Sequence, residues 1–267
     1  MKSDFHMHTD FSGDADVSPE LMIQGAIDKG LEIICFTDHV DKDFPCSDIN
    51  FDLDVDLYIQ TMEALRAKYR DKIDIRIGVE LGLQPHLGPY YEAYVPQYPF
   101  DFVIGSVHVV HGQDPYLGKL FEQGTDEEIY RDTFLEMVED IQAISTFDVL
   151  GHMDYIVRYG KEKAAHYSYE KYASYIDEVL RTVIAYGKGI ELNTSGFKYG
   201  LGFCHPHPQI IKRYKELGGE IITIGADGHK PEHIAYNFHK VKEILSDCGF
   251  KYYTEFKERK PIFKQLP

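Results

Sequence analysis

The 267-residue chain has no C-x-x-C pair, no stretch approaching the roughly 20 apolar residues needed to cross a bilayer, and no excess of positive charge. Each absence removes a class of function. The four cysteines, Cys35, Cys46, Cys204 and Cys248, are scattered, so neither a disulfide framework nor a thiolate zinc site is expected, and they read as reduced spectators. The Met1-Lys2-Ser3-Asp4 start runs straight into an apparent strand without an apolar signal core, which gives the expectation of a cytoplasmic protein with no membrane partner. The formal charge of -16 argues against a nucleic-acid partner, because phosphate backbones are held by Lys/Arg patches. Cations bound in a pocket would reverse that sign locally, so an acidic protein can still take an anionic substrate. No repeat or linker interrupts the chain, and 43% hydrophobic residues suffice for a full core. One domain over residues 1–267 is therefore expected, with its oligomeric state left open.

What is present is a recurrence of short apolar, β-branched runs: Asp4 to His8, Glu32 to Thr37, Ile73 to Leu81, Phe102 to Val107, Asp148 to Gly151, Gly189 to Leu192 and Glu220 to Ile224. Helical periodicity fills much of the space between them, at Pro19 to Lys29, Val55 to Tyr69, Asp126 to Ile144, Tyr169 to Tyr186, Pro208 to Leu217 and Pro231 to Leu245. Ser18 before Pro19 reads as an N-cap followed by proline at the first helical position. Gln84 to Pro99, rich in Pro, Gly and Tyr, reads as an irregular excursion. Strands alternating with helices predict a parallel sheet.

The polar residues fall where the predicted strands end. His6 and His8 close the first, Asp38 and His39 the second, Glu80 the third, His108 the fourth, His152 and Asp154 the fifth, Asn193 and Ser195 the sixth, and Asp227 and His229 the seventh. In a parallel barrel those ends gather on one rim, where active sites are built. An open doubly wound sheet would concentrate them near one switch point instead. Seven loaded ends favour a closed or nearly closed barrel.

His6-Met7-His8 puts two imidazoles on one side of a strand, because side chains alternate with a period of two. That pattern alone is weak. Its repetition is not: six of thirteen histidines sit at strand ends beside Asp38, Glu80 and Asp227, and such a ring is costly to hold without cations. The donors are nitrogen and oxygen without sulfur, which suits Zn, Mn, Fe or Co. More than one ion is expected.

His6-x-His8-x-x-x-Ser12, Thr37-Asp38-His39, Gly78-Val79-Glu80, Ser106-Val107-His108, Gly151-His152-Met153-Asp154 and Ala226-Asp227-Gly228-His229 resemble the ordered motifs of the PHP (polymerase and histidinol phosphatase) family across nearly the whole chain. The resemblance implies an α/β fold, a distorted (β/α)7 TIM-like barrel, carrying a trinuclear site. It further implies that His6, His8, Glu80 and Asp227 hold one divalent ion, that Glu80 bridges to a second held by His108 and His152, and that Asp14, His39 and His229 hold the third. Other members have histidine near the position of Asp14, and Ala226 and Gly228 depart from the usual Ser-Asp-Ala-His.

Three divalent ions facing only Asp14, Glu80 and Asp227 as anionic ligands would leave a positive pocket, in which a metal-activated hydroxide could attack a phosphomonoester. The stretches from Gly151 to Tyr159 and from Glu191 to Gly196 are similar to the histidinol-phosphatase branch, which implies L-histidinol phosphate as the small phosphorylated substrate. Arg158, beyond the fifth strand, could clamp the phosphate bidentately, and Lys198 could add a second cationic contact. Asp38 and Asp154 are expected to orient neighbouring histidines or rim groups rather than bind metal. His205-Pro206-His207 repeats the H-x-H spacing but reads as substrate shell or loop. Tyr90, Tyr91, Tyr94 and Tyr98 could line a pocket, although plain packing explains them as well. The rivals are a phosphatase of phosphotyrosine proteins or other small phosphomonoesters, a DNA-editing exonuclease, and a non-catalytic metal-binding barrel.

Overall fold

The computed structural model describes residues 1–45 and 50–267, so Cys46 lies outside the described residues. The β-branched runs form the parallel strands β1 (Ser3–Asp4), β2 (Ile33–Phe36), β3 (His39–Val40), β4 (Asp74–Gly82), β5 (Phe102–Ser106), β6 (Val149–Leu150), β7 (Gly189–Asn193) and β8 (Ile222–Gly225). Their order is β1-β2-β4-β5-β6-β7-β8, and β3 prolongs the line of β2 beside β4. Backbone bonds close the seam between the two ends. The Phe5 N–H donates to the Ile224 carbonyl at 2.9 Å, and His8 and Gly228 continue the pairing past the strand ends. The sheet is a nearly closed seven-position barrel, as the loaded strand ends and the family resemblance led us to expect.

Helices α1 (Pro19–Asp28), α2 (Val55–Tyr69), α3 (Gly88–Tyr94), α4 (Asp126–Ala143), α5 (Tyr169–Ala185), α6 (Ser195–Lys198), α7 (Pro208–Glu216) and α8 (Val241–Asp247) follow the strands. α4 starts on a complete capping box between Thr125 and Glu128. At α1 the proline is in place, but the Ser18 side chain caps nothing; its carbonyl accepts the Leu21 N–H instead. Gln84 to Pro99 is a chain of short helical turns around α3 rather than irregular. The helix expected over Pro231 to Leu245 is confined to its last third, because Ala235 and Asn237 take left-handed backbone angles of φ 50° and 56°. A C-terminal hairpin, β9 (Tyr252–Lys257) and β10 (Lys260–Gln265), was not anticipated. Its turn runs through Glu258 and Arg259, both at positive φ and neither a usual residue for that conformation. No helix among the described residues is long and apolar enough to cross a membrane.

The period of two sorts β4 into two environments. Ile75, Ile77, Val79 and Leu81 join the large core between sheet and helices, while Arg76, Gly78, Glu80 and Gly82 face the barrel axis. Gly78 is required there: a Cβ would lie 2.6 Å from the Phe102 carbonyl oxygen. The axis is filled by Phe5, Cys35, Phe102, Ile104 and Val149, and Phe256 of the hairpin joins that cluster, its ring 5.0 Å from that of Phe102. This apolar plug occupies one end of the barrel. The polar residues have the other.

Asp140, in α4, is 2% exposed with Oδ1 unpartnered, and burial together with the nearby Glu136 and Glu139 pushes its pKa up to about 8. The folded state therefore binds a proton that the unfolded chain has released, and stability falls as pH rises from about 4 to about 8. Asp140→Asn should remove that decline and stabilise the protein at pH 8.5 by about 2 kcal/mol. Thermal unfolding at pH 5 and pH 8.5 measures it, and parallel curves for the two proteins would contradict it.

Candidate metal centre

The carboxyl ends of the strands converge on Glu80. Glu80 Oε2 lies 3.2 Å from His6 Nε2, 3.5 Å from His8 Nε2 and 3.2 Å from His39 Nδ1. Glu80 Oε1 lies 3.0 Å from His152 Nε2 and 3.3 Å from His108 Nε2. Asp227 Oδ1 completes the first group, 3.6 Å from His8 Nε2 and 4.0 Å from His6 Nε2. Asp14, from the loop between β1 and α1, places Oδ2 3.0 Å from His229 Nε2 and 3.7 Å from His39 Nε2. All nine residues singled out in the sequence as ligands are thus brought together. Donors about 2.0–2.2 Å from a tetrahedral ion stand roughly 3.3–3.6 Å apart, so these spacings are those of a ligand cage. His39 Nδ1, buried and without a hydrogen-bond partner, fits the same purpose.

Groups behind the donors fix their directions. His6 Nδ1 is 2.7 Å from Glu191 Oε1, and Glu191 Oε2 accepts the His152 N–H and the Asn193 side-chain N–H. His108 Nδ1 is 2.8 Å from Asp41 Oδ2, and the Ser106 hydroxyl donates to Glu80 Oε1 at 2.6 Å. Glu191 and Asp41 were missed in the sequence. A signal existed for Glu191, a lone carboxylate inside the apolar strand Gly189–Asn193; Asp41 is hidden among neighbouring aspartates.

The electrostatics are those of a site built for cations. Burial and the fields of His39 and His229 pull His8 down to about 3, leaving a neutral imidazole. Glu80, although buried, is held well below the usual range by His6, His108 and His39, and Asp227 likewise, chiefly by His6 and His8. Burial opposes a charge on His39, yet Asp14 and Glu80 raise it to about 9. Divalent ions would replace the protons these carboxylates hold on the imidazoles and keep the same carboxylates as ligands. The donor set fits divalent metal binding.

A cavity of about 450 Å³ opens onto these donors. Arg158 lines it, its guanidinium centre 4.0 Å from the Tyr155 ring and 4.1 Å from the Tyr199 ring, with Nε and Nη1 buried and unpartnered. The other residues expected at the substrate or in catalysis stand elsewhere. Lys198 donates to the Asp227 main-chain carbonyl at 3.2 Å and is outside the cavity lining. His205, fully buried, pairs with Asp154 at 2.5 Å, and His207 accepts the Gln209 N–H at the start of α7; neither lines the cavity, because the chain turns inward there to pair with Asn193. Asp38 orients no imidazole directly: it accepts from Thr9 and Ser12, and Ser12 in turn meets His8 Nδ1 and the His39 N–H. Asp154 holds His205, Tyr167 and the His207 N–H rather than His152. Both aspartates are fully buried and act through other residues. Tyr91 spends its hydroxyl on the Val40 and Gly82 carbonyls and, with Tyr90, Tyr94 and Tyr98, forms a packing cluster away from the cavity; the lining tyrosines are Tyr116, Tyr155, Tyr159 and Tyr199.

A model of the PHP domain matches residues 4–195. The chain belongs to the PHP family. It is similar to histidinol-phosphatase from Lactococcus lactis subsp. lactis, 32% identical over 93% of this chain and 92% of the relative. It is equally similar to a probable histidinol-phosphatase from Clostridium acetobutylicum, 32% identical over 94% and 95%. Among solved structures, histidinol phosphate phosphatase from Lactococcus lactis, complexed with zinc, L-histidinol and phosphate, superposes with a TM-score of 0.90 over 98% of both chains. The PHP match ends before Asp227 and His229, whereas the relatives extend past both.

Because ligating imidazoles depend on the acceptor behind them, Glu191→Gln should weaken zinc or manganese binding about 10–100-fold. Competition against a chromophoric chelator measures this. Affinity within about twofold of the parent would mean that the backbone alone orients His6.

Proposed function

We propose that this PHP protein hydrolyses L-histidinol phosphate to L-histidinol and phosphate with three divalent ions, Zn, Mn or Fe. One observation carries the reading: seven of the nine donors, Glu80 among them, line a cavity whose wall also carries the unpartnered guanidinium of Arg158. The similarity to histidinol-phosphatases over nearly the full length selects the substrate among phosphomonoesters. His6, His8, Glu80 and Asp227 would hold the first ion, Glu80, His108 and His152 the second, and Asp14, His39 and His229 the third.

When bound, the ions supply positive charge to the phosphoryl oxygens and activate water for attack on phosphorus. The chain's own part is positioning. Glu80 turns one oxygen to each of two donor groups, which fixes their spacing. Arg158, held between Tyr155 and Tyr199, brings its guanidinium to the phosphate, and stacking keeps its plane fixed before the ligand arrives. The aromatic walls exclude water and strengthen these contacts.

The test is phosphate release across a panel of phosphomonoesters after reconstitution with Mn, Zn or Fe. L-Histidinol phosphate should be the preferred substrate, a chelator should abolish turnover, and Arg158→Ala should lower kcat/KM about 10–100-fold. A metal-replete protein that releases no phosphate from it while cleaving another ester efficiently would overturn the proposal in favour of a different phosphomonoesterase.

A further inference from the structure

Asp4, the last residue of β1, is fully buried and belongs neither to the converging donor groups nor to the cavity lining. Its carboxylate accepts three backbone N–H groups from three separate segments. Oδ1 accepts from Ala226 at 3.0 Å and from His6 at 3.3 Å, and Oδ2 accepts from Ala235 at 2.8 Å. Lys29, just past α1, holds the same loop from its other side by donating to the carbonyls of Glu232 and Ile234.

The stretch from Ala226 to Ala235 carries two of the donors, Asp227 and His229. Two of its residues take left-handed backbone angles, Asp227 at φ 54° and Ala235 at φ 50°. Neither is glycine, so each conformation is unfavourable by itself and persists only where its surroundings enforce it. Asp4 meets both. The peptide groups on either side of Asp227 are fastened to the first strand, the Ala226 N–H by Asp4 Oδ1 and the Gly228 N–H by the His6 carbonyl at 3.3 Å. At Ala235 the left-handed residue's own N–H is the donor. We propose that Asp4 is the positioning residue for the donors on the seam side of the centre: it sets Asp227 against His6 and His8, and holds the loop that brings His229 to Asp14, without touching an ion. Only a carboxylate does this, because acceptance on both oxygens leaves no place for an amide N–H. The inference rests on the reading of the nine donors as a metal centre and adds the group that enforces its left-handed turn.

Asp4→Asn keeps the shape of the side chain and one acceptor oxygen but turns an NH2 group toward a backbone N–H. Manganese titrations against a chromophoric chelator should show the binding steps that use Asp227 and His229 weakened about 10–100-fold. The step that uses Glu80, His108 and His152 should stay within about threefold of the parent. Amide hydrogen exchange on the metal-free protein gives a second readout. In the parent, Ala226 and Ala235 should be protected before any ion is added; in the variant they should lose protection while the amides of β4 and β5 keep theirs. Adding Ala235→Gly to the variant should recover at least about threefold in affinity, because glycine takes the left-handed angle unaided and frees the remaining oxygen for Ala226. Rapid exchange at Ala226 and Ala235 in the parent overturns the inference, as do unchanged binding steps, a loss spread evenly over all steps and the whole barrel, or a double variant that recovers nothing. Failure of the metal reading would look different: the parent would bind no manganese, while the exchange pattern would still report on the hold that Asp4 has on the loop.

Discussion

Glu80 has 1% of its surface exposed and stands among five imidazoles, each with a ring nitrogen within 3.5 Å of one of its two oxygens. Taking a carboxylate out of water costs several kcal/mol, and only positive charge close to both oxygens offsets it. The rest of the molecule can be read as the arrangement that brings that charge together. Four strands or strand ends deliver the imidazoles, and Gly78, one inward position below Glu80 on the same strand, leaves the space that lets the neighbouring strands approach. The apolar plug beneath shields the carboxylate from solvent on the other side.

The outer ring of polar groups follows from the same constraint. Each imidazole has one nitrogen turned to the centre, so the other must find an acceptor or remain costly. Glu191 and Asp41 meet that need for His6 and His108, while Ser12 and Asp38 brace His8 and the start of β3. The substrate cavity then lies above the donors, walled by loops that carry Arg158, Asp114 and the tyrosines. Chemistry is assigned to the strand ends and recognition to the loops, the usual division in barrels.

The barrel and the strand-end donors were legible in the sequence because they follow a period: alternation puts His6 and His8 together, and apolar runs broken by polar ends mark the rim, whereas Asp14, in the loop before α1, came only from the family resemblance. Residues that act through a second residue left no such mark. Glu191 lies within a strand and not at its end, so a search of strand ends passes over it. His205 illustrates the reverse case: its spacing imitates His6-Met7-His8, it reads in the sequence as substrate shell or loop, and its chain pairs backward with Asn193 and buries the ring against Asp154. The C-terminal hairpin escaped because Glu258-Arg259 gives no sign of the positive backbone angles it adopts. The break in the helix expected from Pro231 was hidden for the same reason, with Ala235 at a conformation that alanine rarely takes.

The seam of the barrel joins the first strand to the last, and it is also where His6 and His8 meet Asp227. A chain that ends before β8 contains seven of the nine donors but no seam to hold them in register. Assembly of the centre is thus a report on closure: the cage exists only once the first and last strands of the barrel have found each other. An ion taken up there acts as a latch on topology, stabilising the closed ring over every partly wound alternative by its full affinity for the finished site.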